Sequence, residues 1–311
     1  MLEIYRERVG RVLKIGLSGN TGIGSLVCSA LDERDYQVES LQLERPIDIK
    51  FIRLVQSLVV FAWRCRKVDV IFHTYCNNNA SLYAKIANLL NKKVVFYWIG
   101  TDVYHLLNGV KSRCRCRVDL NLASGQHLAD ELEEAGIAAC ALCTPTNLPE
   151  NVARMPEEHA VLLNIPDSRA EFYGYETLKK VIEAFPDTLF YITRSESPEM
   201  YDYPNVVFAG MLNRKEMDRV FDKISIAIRF PEHDGMALSV VESMIKGKTV
   251  ICNYPVPHTV QANTFEELCE ALSSLLSHPV EINRKAHEYA VKNFGANHIS
   301  AEFKRYLKNL G

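Results

Sequence analysis

Two carboxylates stand eight residues apart in the segment Ile228–Val250, which reads IRFPEHDGMALSVVESMIKGKTV. The pattern predicts a strand that ends at Arg229 and a loop with Pro231, Glu232, His233, Asp234 and Gly235. A helix over Gly235–Lys246 then carries Glu242, and Gly247 closes it before the next strand. An acid just ahead of a helix and another inside it can both face a ligand at that helix's N-terminus. The backbone N–H groups of Gly235, Met236 and Ala237 have no partner within the helix and suit phosphate or sugar oxygens. A carboxylate inside the helix suits the paired hydroxyls of a ribose. A plainer reading makes Asp234 a helix cap and Glu242 part of a solvated face. Spacing alone leaves both readings open.

Gly19, Gly22 and Gly24 form a second candidate between a strand and a helix. Glycines permit tight turns and close backbone approach, and a helix N-terminus favours an anion. The spacing GxxGxG is neither the GxGxxG of dinucleotide binders nor the GxxxxGK(S/T) of phosphate loops. Glu39 falls inside the second strand rather than at its end, so an ordinary tight turn explains the glycines equally well. Cys114-x-Cys116 and Cys140-x-x-Cys143 could supply four thiolates to zinc. However, Arg113-Cys-Arg-Cys-Arg117 alternates, and Cys140 lies in an apolar, strand-like run. Reduced structural thiols are favoured, and no metal is expected.

The elements that must position these residues alternate from the start. Apolar runs at 12–18, 37–43, 68–74, 93–99 and 119–123 predict five strands, with helices over Ser25–Glu33 and Ala80–Leu90. These runs are continuous rather than alternating, as expected of parallel strands covered on both faces. The pattern breaks at Thr144-Pro-Thr-Asn-Leu-Pro149 and then restarts. Strands are predicted at 159–164, 188–193, 205–209, 224–228 and 249–252. Helices are predicted at 175–184, 214–221, 265–276, 282–293 and 299–310. The fold expectation is α/β: two doubly wound, Rossmann-like domains, 1–148 and 149–295, with ligands at strand C-termini in a cleft between them.

Composition agrees. The 311 residues suit two domains, with 48% hydrophobic and 24% charged residues. A net charge of -2 excludes a protein that coats nucleic acid. Nine cysteines, an odd number, argue against a secreted disulfide scaffold. No N-terminal apolar segment of signal-peptide type is visible, so a cytoplasmic protein is expected.

The acidic segment resembles the E-x7-E region of retaining glycosyltransferases with the GT-B fold, especially family four. It stands here as Asp234-Gly-Met-Ala-Leu-Ser-Val-Val-Glu242-Ser-Met with Gly247. Asn205–Leu212 (NVVFAGML) looks like that family's strand-then-glycine element. Trp98-Ile-Gly-Thr-Asp-Val103 is similar to its acceptor loop, and Leu120–Ile137 to its S-x-x-L helix. Tyr289–Leu310 looks like the helices that cross back to the first domain, closing it with a helix over about 296–311.

The resemblance implies roles. Glu242 would bind ribose hydroxyls. Asp234 and the backbone of Gly235, Met236, Ala237 and Leu238 would hold donor sugar and diphosphate. Gly22 and Gly24 would approach the diphosphate, and Gly210 would flank the base. His73, Thr101 and Asp102 would lie on the acceptor side. The sequence also departs from the family. The first acid is Asp, Ile99 replaces the usual His of the acceptor loop, and the basic residues after the second domain's first strand are missing. Tyr173 stands where the lysine would be, and Arg169 and Arg194 are the nearby substitutes for stabilising a departing diphosphate.

The implied reaction is metal-independent, retaining transfer from a UDP- or GDP-sugar to a glycan, lipid-linked or other small acceptor, as in polysaccharide biosynthesis, with no cofactor. It passes through an oxocarbenium-like transition state. Lys50–Lys67 (KFIRLVQSLVVFAWRCRK) has an apolar middle and cations at both ends, with Arg113, Arg115 and Arg117 adding charge nearby. A crossover helix buried on the sheet is the favoured reading. The other is a peripheral helix at the inner membrane face. A catalytically weak sugar-nucleotide-binding module and a sugar-nucleotide epimerase are the competing functions.

Overall fold

The structure is a computed structural model that describes residues 12–42, 50–76, 79–110, 114, 116–146 and 148–310. Arg113, Arg115 and the side chain of Lys50, named above, lie outside what it describes. The chain divides into two compact units. One runs to Pro145 and takes back the chain from Ala296, and the other is Thr146–Gly295.

The first unit holds β1 (Leu13–Gly19), α1 (Thr21–Cys28), β2 (Tyr36–Ser40), α2 (Lys50–Cys65), β3 (Val70–Thr74) and α3 (Ala80–Leu89). It continues with β4 (Lys93–Trp98), α4 (Thr101–Leu107), β5 (Leu120–Ala123), α5 (Gln126–Glu134) and β6 (Cys140–Ala141). Its six strands are parallel in the order β2-β1-β3-β4-β5-β6. Every residue of β3 is buried, which is why its sequence VIFHT shows no alternation. Register sets Ser18 beside His73 and Gly19 beside Thr74. The chain returns as α11 (Ala296–Lys308), whose Phe303 ring lies 5.4 Å from that of Phe72.

The second unit holds β7 (Ala160–Asn164), α6 (Tyr175–Ala184), β8 (Leu189–Thr193), β9 (Val206–Gly210), α7 (Arg214–Phe221) and β10 (Ile226–Arg229). Then come α8 (Leu238–Ile245), β11 (Thr249–Cys252), β12 (Val260–Gln261), α9 (Phe265–Leu276) and α10 (Arg284–Phe294). Its parallel sheet has the order β12-β11-β10-β7-β8-β9. The chain leaves β7 for one side of the sheet and later returns beside it as β10. This reversal marks the C-terminal ends of β7 and β10 as the switch point, where ligands of such sheets bind. The core here includes Val161, Leu163, Phe190, Ile192, Ile228 and Ile251.

Several boundaries differ from the sequence expectation. The first helix begins at Thr21, not Ser25, because the Asn20 side chain accepts the Ile23 N–H at 3.2 Å and caps it. The helix holding Glu242 begins at Leu238, not Gly235, because Ala237 is extended (φ -64°, ψ 134°). α4 and β12 had no apolar run long enough to announce them. The reading of α2 as wholly buried also needs correction. Phe61 and Cys65 are buried, but Ile52, Val55, Val59 and Trp63 form an exposed stripe, with Val59 at 63% and Trp63 at 56%. Among the described residues no helix is long and apolar enough to cross a membrane.

Candidate functional site

The strongest constellation lies at the switch point of the second unit. Arg229 is the last residue of β10, and register brings it level with the end of β7. Its Nη1 donates to the Asn164 carbonyl at 3.1 Å. Its Nε and Nη2 both donate to Oδ2 of Asp234, at 2.8 and 2.6 Å. The other oxygen, Oδ1, accepts the Gly235 N–H at 3.0 Å. The guanidinium lies 4.4 Å from the ring centre of Tyr173. Arg229 is the only arginine among the described buried residues. Desolvation pulls the Arg229 guanidinium down, but the charge and hydrogen bonds of Asp234, together with Tyr254 and Tyr173, hold it above its ordinary range.

Glu242 is the fifth residue of α8. Its Oε1 accepts from Arg214 Nη1 at 2.9 Å and from Thr146 Oγ1 at 3.4 Å. Arg214 opens α7, which a complete capping box between Asn213 and Glu216 fixes in place. Burial raises the Glu242 carboxyl above the ordinary carboxylate range, with Arg214 pulling the other way. Asp234 and Glu242 are thus neither a simple cap nor a solvated face. Each is a partly buried acid held by its own arginine.

The other expected residues of this unit ring the same strand ends. Gly235, Met236 and Ala237 form the extended entry to α8, and Leu238 is its first residue. Arg194 follows β8 with φ at 71°, a left-handed conformation uncommon outside glycine, and its N–H donates to the Gly210 carbonyl at 2.9 Å. Gly210 itself ends β9 with φ at 67°. Arg169 closes a short turn after β7, 6.0 Å from the Phe172 ring centre. The arginine paired with Asp234 is Arg229.

In the first unit, Gly22 and Gly24 lie within the first turns of α1 rather than in a loop. Only Gly19 needs to be glycine. Its φ is 76°, and a Cβ there would run into the Thr74 carbonyl oxygen, whereas at Gly22 the nearest atom is 3.5 Å away. His73 is buried, and its Nδ1 pairs with Ser18 Oγ at 2.8 Å. Burial pushes its imidazole down to about 4, so it is neutral near pH 7. Thr101 opens α4 behind Gly100. The fully buried Asp102 accepts at Oδ1 from the N–H groups of Ile99, Gly100 and Val103 at 2.9, 3.0 and 3.1 Å. Its Oδ2 accepts from Cys76 N–H at 2.8 Å. Asp102 thus ties the chain after β3 to the start of α4.

Cys143 is buried, with its thiol pushed up to about 12 by desolvation, while Cys140 is exposed. Among the described residues no group of three or more His, Cys, Asp or Glu side chains is placed to hold a metal ion.

Sequence reasoning missed Arg229, Arg214 and Tyr173 as parts of one site. A signal existed for Arg229, since it is the one charge in the run IAIR. Its stacking partner is far away in sequence, and only the fold brings them together.

No protein-family model and no curated protein sequence matches the chain. Solved structures do. TarM aligns with a TM-score of 0.60 at 12% identity over 82% of this chain and 58% of that one. The sucrose-phosphate synthase of Thermosynechococcus elongatus gives 0.73 at 13% identity, covering 96% of this chain and 99% of its own. The UDP-GlcNAc 2-epimerase of Methanocaldococcus jannaschii, solved with UDP-GlcNAc and UDP, gives 0.57 at 13% identity over 96% and 100%. This chain therefore spans little more than half the length of TarM. At these identities the likeness establishes the fold, which is GT-B.

Proposed function

We propose that the chain is a retaining, metal-independent glycosyltransferase that moves a sugar from a UDP- or GDP-sugar to a glycan, lipid-linked or other small acceptor. One observation carries this reading. Two acids flank the entry to α8 at the sheet's switch point, and each is held by its own arginine. Glu242 takes the ribose hydroxyls, and the Gly235–Leu238 backbone with Asp234 takes the diphosphate and sugar. Arg194, Arg169 and Gly210 surround the same strand ends. In the first unit, Gly22 and Gly24 are phosphate-contacting residues and Thr101 belongs to the acceptor side, with the buried His73 and Asp102 supporting it. The helix N-terminus and arginines supply the positive charge that a departing diphosphate requires. GT-B neighbours solved with UDP and sugar ligands support the ligand class.

Calorimetric titration with UDP- and GDP-sugars tests the reading. Binding is expected with the unmodified protein and lost with Glu242→Ala. Unchanged binding in that variant would sink the assignment. Transfer to an acceptor with retained anomeric configuration separates this function from a binding module. Sugar epimerisation without an acceptor would favour an epimerase.

The acceptor is proposed to be met at the inner membrane face through α2. The exposed stripe Ile52, Val55, Val59 and Trp63 has Lys67 stacked 4.1 Å over the Trp63 ring, which combines apolar area with positive charge. Co-sedimentation with anionic liposomes, abolished by Val59→Asp, is the expected result.

A further inference from the structure

We propose that Arg229 is the positioning cation of the donor site, and that strand β10 supplies a cation in place of the basic pair missing between β7 and α6. This rests on the nucleotide-sugar reading above. The argument begins with charge. A diphosphate brought to the entry of α8 meets two carboxylates, Asp234 and Glu242, and unpaired acids there would repel it. The arginine–carboxylate pairs at 2.6 and 2.9 Å cancel both. The Arg214 side chain is 40% exposed, so its pair is screened by water. The Arg229 and Asp234 side chains are only 10% and 17% exposed, so this charge would be felt in full if either partner were removed.

Geometry adds the second part. Arg229 uses three nitrogens in one plane, two toward Asp234 and one toward the Asn164 carbonyl, while its face lies over Tyr173. A lysine, a point charge on a flexible stem, cannot make this fork and stack at once. The remaining Asp234 oxygen accepts the Gly235 N–H. A continuous line of contacts therefore runs from the Tyr173 ring, through Arg229 and Asp234, to the backbone that leads into α8. Arg229 acts on the donor through Asp234. It cancels the carboxylate's charge and fixes the loop whose N–H groups face the diphosphate. Tyr173, which occupies the expected lysine position, provides the platform that holds the cation in place.

The experiment is calorimetry with UDP and GDP on the unmodified protein and three variants, each checked for its folded state by circular dichroism. Arg229→Met leaves Asp234 buried without its partner, and the better-bound nucleotide is expected to weaken about 30-fold or more. Arg229→Lys is expected to recover part of that loss. The double variant Arg229→Met with Asp234→Asn removes both charges and the folding penalty together. It should bind nucleotide more tightly than Arg229→Met, because no unpaired carboxylate is left to repel the diphosphate, while sugar transfer stays impaired because Asp234 is gone. An arginine that served only the fold would lower the melting temperature of Arg229→Met without changing the nucleotide affinity of the folded protein. A folded double variant as weak as Arg229→Met overturns the proposal, as does an Arg229→Met variant that binds normally. If the unmodified protein binds neither nucleotide, the nucleotide-sugar reading falls and takes this inference with it.

Discussion

Asp102 in the first unit stands in the first turn of α4, just past the end of β4, and Asp234 in the second lies in the loop between the end of β10 and α8. Their surroundings differ. Asp102 is fully buried and spends both oxygens on four backbone N–H groups. Asp234 pairs one oxygen with a guanidinium and accepts the Gly235 N–H with the other, and its side chain stays 17% exposed. A carboxylate saturated by backbone is committed to holding the fold. One paired with a side-chain cation keeps a charge whose balance depends on a single side chain. An aspartate just past a strand end is therefore locked into backbone in one case and paired with an arginine in the other.

The largest effect expected from this contrast is in the first unit. Asp102→Ala leaves buried N–H groups without an acceptor and should cost about 4 kcal/mol or more in denaturant unfolding. A loss below about 1 kcal/mol would erase the distinction. Next comes His73. Its imidazole is held down to about 4, so between pH 6.5 and 4 the unfolded chain binds a proton that the folded chain refuses. Stability is present above pH 6.5 and is lost as pH falls, by about 3 kcal/mol in full. Melting across that range, with the His73 ring followed by NMR, checks this, and titration of the ring near 6.5 would contradict it.

Glu242→Gln should be mild for the fold and severe for the ligand. Its partner Arg214 is 40% exposed, so stability should change by less than about 1 kcal/mol while donor binding collapses. A large stability loss with intact binding would place Glu242 with Asp102. The smallest effect is expected at Gly22. It lies inside α1 with room for a Cβ, so Gly22→Ala should raise stability by about 0.5–1 kcal/mol in thermal melts. A loss instead would show that this backbone needs its glycine, as Gly19 does.

The strands were legible because each is a continuous apolar run bounded by turns, and the break near Thr144–Pro149 announced a second rhythm. Helix starts were less legible. Asn20 caps a helix whose first turns contain Gly22 and Gly24, residues that propensity alone assigns to a loop. The acids at 234 and 242 could be found by spacing, but their arginines could not. Arg214 meets Glu242 across 28 positions, and Arg229 meets Asn164 across 65. Such partners are set by strand order, and strand order is a property of the whole sheet. The two units look alike in sequence rhythm, and nothing in that rhythm tells Asp102 from Asp234. The difference appears only once the neighbours of each oxygen are known.

The return of the chain as α11 affects how the protein is made. Phe303 of that helix packs on Phe72, and the Tyr306 hydroxyl donates to the Ala141 carbonyl at 3.2 Å, so the first unit finishes its core with residues made after the whole second unit. Folding during synthesis usually favours the N-terminal domain. Here the order is inverted. The middle of the chain, Thr146–Gly295, is the first of the two units to have all its residues, while the earlier unit, with its six strands already made, waits for α11. A stalled or shortened chain would therefore leave a finished second unit tethered to an open, aggregation-prone first one.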